Sequence, residues 1–194
     1  MVPSVVHTDP DDEGQTMTST ETETRTQPLS AERADLIEAL DGHRWFLTHT
    51  VQGLTDQQAR LRPTVSELTL GGLVKHVTAT ERMWGEFVVG GPETFPAFDE
   101  STAADWAAEF VMLPEETLAG LLAEYAEVAG RTDELVRTLP DLDLSHPLPA
   151  APWFTPGATR SARRVFLHVI AETAQHAGHA DILRESIDGQ KTMG

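Results

Sequence analysis

The sequence predicts an all-α fold, a bundle of four main helices behind an acidic tail. Three observations carry this. Four stretches repeat their apolar residues at spacings of three and four. Alternating β patterns are nearly absent, so no sheet is expected. Residues 1–28, with TMTSTETETRTQ at their centre, lack the large apolar side chains needed to offset the entropy of ordering and read as a disordered tail. The 194 residues suit one ordinary domain, here 29–194, behind that tail.

The first helix follows Ser30, where SAERADLIEALDGHRWFLTHTVQGL sets Leu36, Leu40, Trp45, Leu47 and Val51 on one stripe and stops at a glycine. A short turn, TDQQARLRP, leads to the second helix, from about Thr69 to Val89, stopped by Gly90-Gly91-Pro92. The long connection that follows carries a helical turn around Asp105 to Phe110. The third helix, PEETLAGLLAEYAEVAGRTDELVRTL, opens on acids and ends before Pro140. After the Pro-rich loop DLDLSHPLPAAPWFTPGAT, the fourth runs from about Arg160 to Ile187, with Gly189 as its stop.

Composition narrows the function. With 31 Asp and Glu against 14 Lys and Arg, the net charge of −17 repels nucleic acid. There is no cysteine, which removes disulfides, thiolate zinc fingers, iron–sulfur clusters and cysteine nucleophiles. Any metal must be held by His and carboxylate. No stretch reaches the roughly 20 apolar residues of a membrane span and the first residues do not read as a leader, so a soluble, cytoplasmic protein is expected. Phosphate loops, G-x-S-x-G, H-E-x-x-H and internal repeats are not found.

The histidines are more informative. At about 100° per residue, His176 centres the apolar stripe of the fourth helix, with Glu172 at about −40°, His179 at about −60° and His168 at about −80°. On the second helix His76 is likewise centred on an apolar face. No Lys or Arg is counted on either stripe. Desolvating a carboxylate and several imidazoles costs several kcal/mol or more without compensation. An E-x-x-x-H pair projects two side chains about 6 Å apart from one face, which suits two ligands of one ion. His76, Glu172 and His176 thus form a candidate metal set of the open, catalytic type, compatible with zinc, nickel, iron or manganese. A hydrogen-bonded core histidine and an ordinary Glu172–His176 ion pair are the plain alternatives. His179 and His168 are a fourth ligand, or partners that orient the ligands. His7, His43, His49 and His146 read as surface residues.

Arg82, Arg160, Arg163 and Arg164 are cations able to steer an anionic substrate, with Arg163 and Arg164 equally suited to ion pairs. Trp84 and Trp153 are candidates to wall a pocket, Trp84 also for the core.

Two segments, LTLGGLVKHVTATERMWGEF and RVFLHVIAETAQHAGHADILRESIDG, resemble the signature segments of the DinB-like superfamily. They are most similar to its DUF664 or mini-circle branch, related to mycothiol-dependent maleylpyruvate isomerase. The resemblance covers roughly residues 31 to 190. It implies a four-helix bundle with a long connection between helices two and three, a possible homodimer, and a divalent metal on His76, Glu172 and His176. Many members have His in place of Glu172, whereas the isomerase branch has Glu. It further implies activation of a thiol cosubstrate, mycothiol- or bacillithiol-like, against an electrophile, with zinc the first choice of metal and His179 and His168 as catalytic candidates. Other uses of such a bundle are a non-catalytic small-molecule binding or stress protein and a metal-assisted hydrolase.

Overall fold

Every helix of three turns or more begins at a Ser or Thr whose side chain accepts a backbone N–H three residues on. In the computed structural model, which describes Met1 and residues 29–96 and 102–192, Ser30 caps α1 (Ala31–Thr50), Thr55 caps the single-turn α2 (Asp56–Ala59) and Thr69 caps α3 (Leu70–Gly90). After the short α4 (Ala103–Ala108), Thr117 caps α5 (Leu118–Thr138). Two strands, β1 (Ser145–Pro147) and β2 (Thr159–Ser161), precede α6 (Ala162–Asp188), which Ser161 caps. Each cap satisfies an N–H that the helix leaves orphaned, an effect of about 1 kcal/mol. The tail expected over residues 1–28 lies outside the described residues, Met1 apart.

Around the bundle the order is α1, α6, α3, α5, because α1 packs on α6 and α5 while α3 packs on α5 and α6. Along the chain, then, α1 and the next long helix α3 are placed on a diagonal, and the segment 51–69 crosses the end of the bundle. That arrangement sets α3 directly against α6. Two apolar layers fill the interior. One gathers Leu47, Leu70, Leu73, Val77, Leu121 and Leu183, and the other Leu40, Trp84, Phe87, Val136, Phe166 and Val169. Between them runs a belt of buried polar side chains, among them Arg44, Thr78, Glu81, Thr132, Thr173 and His176.

The all-α bundle and its four main helices are as the periodicities predict. Several details differ, each for a physical reason. The expectation of no sheet is corrected by β1 and β2, an antiparallel pair with His146 opposite Arg160. Three-residue strands are too short to show alternation. The turn after α1 contains α2, built on a reciprocal capping box in which Thr55 and Gln58 each accept the other's backbone N–H. The third helix starts at Leu118 rather than at its acids, since Thr117 supplies the cap and Glu116 instead turns back to accept the Leu113 N–H and meet Lys75 at 2.8 Å.

On α1, Trp45 leaves the predicted stripe: it is 52% exposed, stacked on His49 with ring centroids 4.6 Å apart, while Arg44 beside it turns inward. The count of no cation on the two buried stripes also fails. Arg184 of α6 is buried and donates to the carbonyls of Thr50 and Gln52 at 2.8 and 2.9 Å, closing the C-terminal end of α1. His146 is not a plain surface residue either. Its ring packs against Gly91, whose φ of 73° leaves no room for a side chain there, and its Nε2 donates to the Val88 carbonyl at the end of α3.

Candidate metal centre

His76 on α3 and His176 on α6 meet because those two helices pack on each other and both residues centre the facing stripes. Their rings lie edge to face with centroids 4.9 Å apart. Glu172, one turn before His176, places Oε2 at 3.6 Å from His176 Nε2. One donor atom from each of His76, Glu172 and His176 lies within 4.8 Å of the others. An ion held at about 2.1 Å by tetrahedral ligands keeps its donors about 3.4 Å apart, so the Glu172–His176 pair at 3.6 Å is close to that spacing and the rest of the trio has at most about 1.4 Å to close.

The surroundings hold these groups without using them up. His76 Nδ1 is buried with no hydrogen-bond partner, 3.7 Å from Glu109 Oε2, and its Nε2 faces the Thr80 hydroxyl at a long 3.5 Å. Neither nitrogen is committed to a strong hydrogen bond, so the imidazole has a lone pair to offer a cation. The His76 ring is clamped by Phe110, stacked at 3.9 Å. Phe110 can come so close because Gly72 has no side chain: a Cβ there would sit 1.9 Å from the Phe110 carbonyl oxygen. The glycine pair of LTLGGLVKH thus lets the segment carrying Phe110 and Met112 pack closely on α3, with Phe110 over His76.

His179 and His168 flank the trio from opposite sides. His179 Nδ1 is 3.4 Å from His176 Nδ1, which leaves His176 Nε2 turned to Glu172. His168 Nε2 is 3.8 Å from Glu172 Oε1, and its ring meets Trp84 edge on. The His176 imidazole beside it holds the Glu172 carboxyl below its ordinary value, with help from His168 and His76, against the opposing pull of burial. Burial pushes His168 down, reinforced by Arg160 and Arg164 and opposed by Glu172. The outcome is an ionised carboxylate among nitrogen donors.

A pocket of about 330 Å³ opens beside the trio, with His76, Glu172 and His168 in its lining. Trp84 is both core and wall, buried to 3% yet lining the pocket, and Trp153 stands at its rim, 62% exposed. Sequence reasoning missed Glu109, which sits in a connection with no period to read. Arg160, one of the cations the sequence offers for an anionic substrate, is in the pocket lining. Of the other predicted cations, Arg82 pairs with Glu124, Arg163 pairs with Glu32 and Asp143, and Arg164 is exposed. His43 and His49 lie on α1 away from the site, and His7 is outside the described residues. A larger groove of about 620 Å³ between α3 and α5 has no histidine in its lining.

Among the described residues no helix is long and apolar enough to cross a membrane. A comparison with curated proteins finds no match. Among solved structures, a conserved protein from Enterococcus faecalis matches with a TM-score of 0.59 at 15% identity, covering 84% of this chain and 100% of that one. At that identity the likeness shows the fold. The family model of the mycothiol S-transferases matches residues 35–189, most of the chain and all of the bundle from the first turn of α1 to the end of α6. The chain therefore belongs to the mycothiol S-transferase family, a DinB-like family.

Proposed function

We propose that this protein is a divalent-metal-dependent S-transferase that joins a mycothiol-like thiol to a small electrophile, with His76, Glu172 and His176 holding the ion. The observation that carries this reading is the convergence of three donors within 4.8 Å beside a pocket. Two nitrogens and one carboxylate oxygen suit zinc first, with nickel, iron and manganese compatible. Bound there, the cation would lower the pKa of a thiol and favour thiolate at neutral pH.

The remaining roles belong to the chain. Glu172, kept ionised by its imidazole neighbours, offsets part of the cation's charge. His179 holds His176 Nδ1 and so fixes which nitrogen faces Glu172. His168, whose lowered pKa keeps it neutral near pH 7, has Nε2 at the pocket and is placed to accept the proton the thiol gives up. Phe110 fixes the His76 ring, and Trp84, Phe95 and Phe154 limit water around the reacting sulfur. Because the chain has no cysteine, the sulfur arrives with the cosubstrate and no protein thiol competes for the metal.

Metal analysis of the untagged full chain tests the site: about one ion per chain is expected in the wild type and almost none in His176→Ala. A metal-free wild type overturns the reading. Incubation of the loaded protein with mycothiol and 1-chloro-2,4-dinitrobenzene is expected to release chloride and give the thioether. Metal-loaded protein that is inert with thiols but cleaves esters is a hydrolase, and one that binds small molecules without turnover is a binding protein.

A further inference from the structure

Arg160 stands on β2 with its guanidinium over the Trp84 ring, 4.6 Å from the centroid, and 5.6 Å from that of Phe154. Its Nη1 is buried and has no hydrogen-bond partner, and among the described residues the side chain makes no ion pair. Elsewhere Lys75, Arg44, Arg82 and Arg163 each find a carboxylate, and Arg33 and Arg60 donate to backbone carbonyls. Burial and the neighbouring Arg164 both push its pKa down. Two aromatic faces offset part of the cost of desolvating the charge. The unsatisfied N–H still carries a penalty, which an acceptor from outside the chain would remove.

Arg160 lines the same pocket of about 330 Å³ as His76, His168 and Glu172. We infer that Arg160 anchors a carboxylate on the electrophile, so that the protein selects small aromatic or unsaturated acids over their neutral counterparts. This rests on the S-transferase reading for the site and adds the chemical class of its second substrate. A carboxylate matches the planar guanidinium edge with two oxygens, and the apolar walls strengthen that pairing. A phosphate dianion fits less well, because it would bring a second negative charge toward Glu172 and the pocket lining holds no cation besides Arg160. The volume suits one ring with its substituents. Held by its acid group at Arg160, such a molecule extends toward His76 and Glu172, where the sulfur is activated.

A matched pair of probes tests this: 4-chloro-3-nitrobenzoate and its methyl ester. In the reaction the sulfur bonds to C4, the C–Cl bond breaks, chloride leaves with the electron pair, and the thiol proton passes to solvent. Binding is measured first, by calorimetry on the metal-loaded full chain without thiol. The wild type is expected to bind the acid at least about tenfold more tightly than the ester. Arg160→Gln is expected to lose that preference, Arg160→Lys to keep part of it, and Arg164→Gln, which removes an exposed charge nearby, to keep it. A wild type with no preference for the acid overturns the inference whatever the variants do. So does a preference that survives in Arg160→Gln but vanishes with the metal, which would place the carboxylate on the ion. Conjugation is measured second, and the acid-over-ester ratio of kcat/KM is expected to fall about 10- to 100-fold in Arg160→Gln. Acid-selective binding through Arg160 with no conjugation of any probe would sink the S-transferase reading and leave the anchor standing.

Discussion

Two clusters of buried charge occupy the same polar belt on different faces of α3. In the first, Arg44 of α1 meets Glu81 of α3 through both Nε and Nη2 and Asp133 of α5 at 2.8 Å. Glu81 is 1% exposed, and its carboxylate pairs with a cation the chain itself supplies. Against burial, Glu81 and Asp133 keep Arg44 charged and raise its pKa. In the second cluster, His76, Glu172 and His176 bring together three donors and no Lys or Arg, at contacts of 3.6 Å and longer. The first cluster is closed and ties three helices together. The second lies beside a pocket and is only partly buried, with Glu172 30% exposed, and its carboxylate meets imidazoles rather than a guanidinium.

The sharpest way to break this comparison is to remove one member of each cluster. His176→Ala is expected to lose stoichiometric metal and at least about 100-fold in S-transferase activity, while the apo protein stays folded by circular dichroism. Unfolding of the apo variant would show that the trio is structural. Arg44→Met should do the reverse, costing about 3–5 kcal/mol in chemical denaturation by leaving Glu81 buried and unpaired, with metal content unchanged. The double change Arg44→Met with Glu81→Leu should recover most of that loss.

Chelation gives a smaller effect. Saturating metal at about 100 times its Kd should stabilise wild type and Arg44→Met by about 2.7 kcal/mol, read as a Tm shift that a chelator reverses, and leave His176→Ala unmoved. A Tm shift of equal size in His176→Ala would place the ion elsewhere. Smallest is His179→Ala, expected to weaken metal binding about 10- to 100-fold by freeing His176 Nδ1, with little change in apo stability. His179→Asn, which can still hydrogen-bond, should recover part of it.

Much of the fold was legible in the sequence because its causes are local. Apolar residues at helical spacing, Ser30 and Thr69 as caps, and Gly189 as a stop each act within a turn or two of themselves. The trio was legible for the same reason: His76, Glu172 and His176 fall on apolar stripes that a bundle must bury. Glu81 was missed although a signal existed, since α3 is apolar on nearly all sides and an acid in such a helix needs a partner. The small sheet and Glu109 left no periodic trace.

What the sequence determined by itself is therefore the helices, their buried faces and the residue types on them, since these follow from backbone sterics and from hydrophobic periodicity over a few residues. Only the tertiary structure decided which faces meet. Packing set α3 on α6 rather than on α1, which joined His76 to Glu172 and His176. It paired Arg44 with Glu81, and it placed Arg160 over the Trp84 ring at the same pocket. Charges far apart in the chain are matched or left unmatched only when the helices carrying them are brought together.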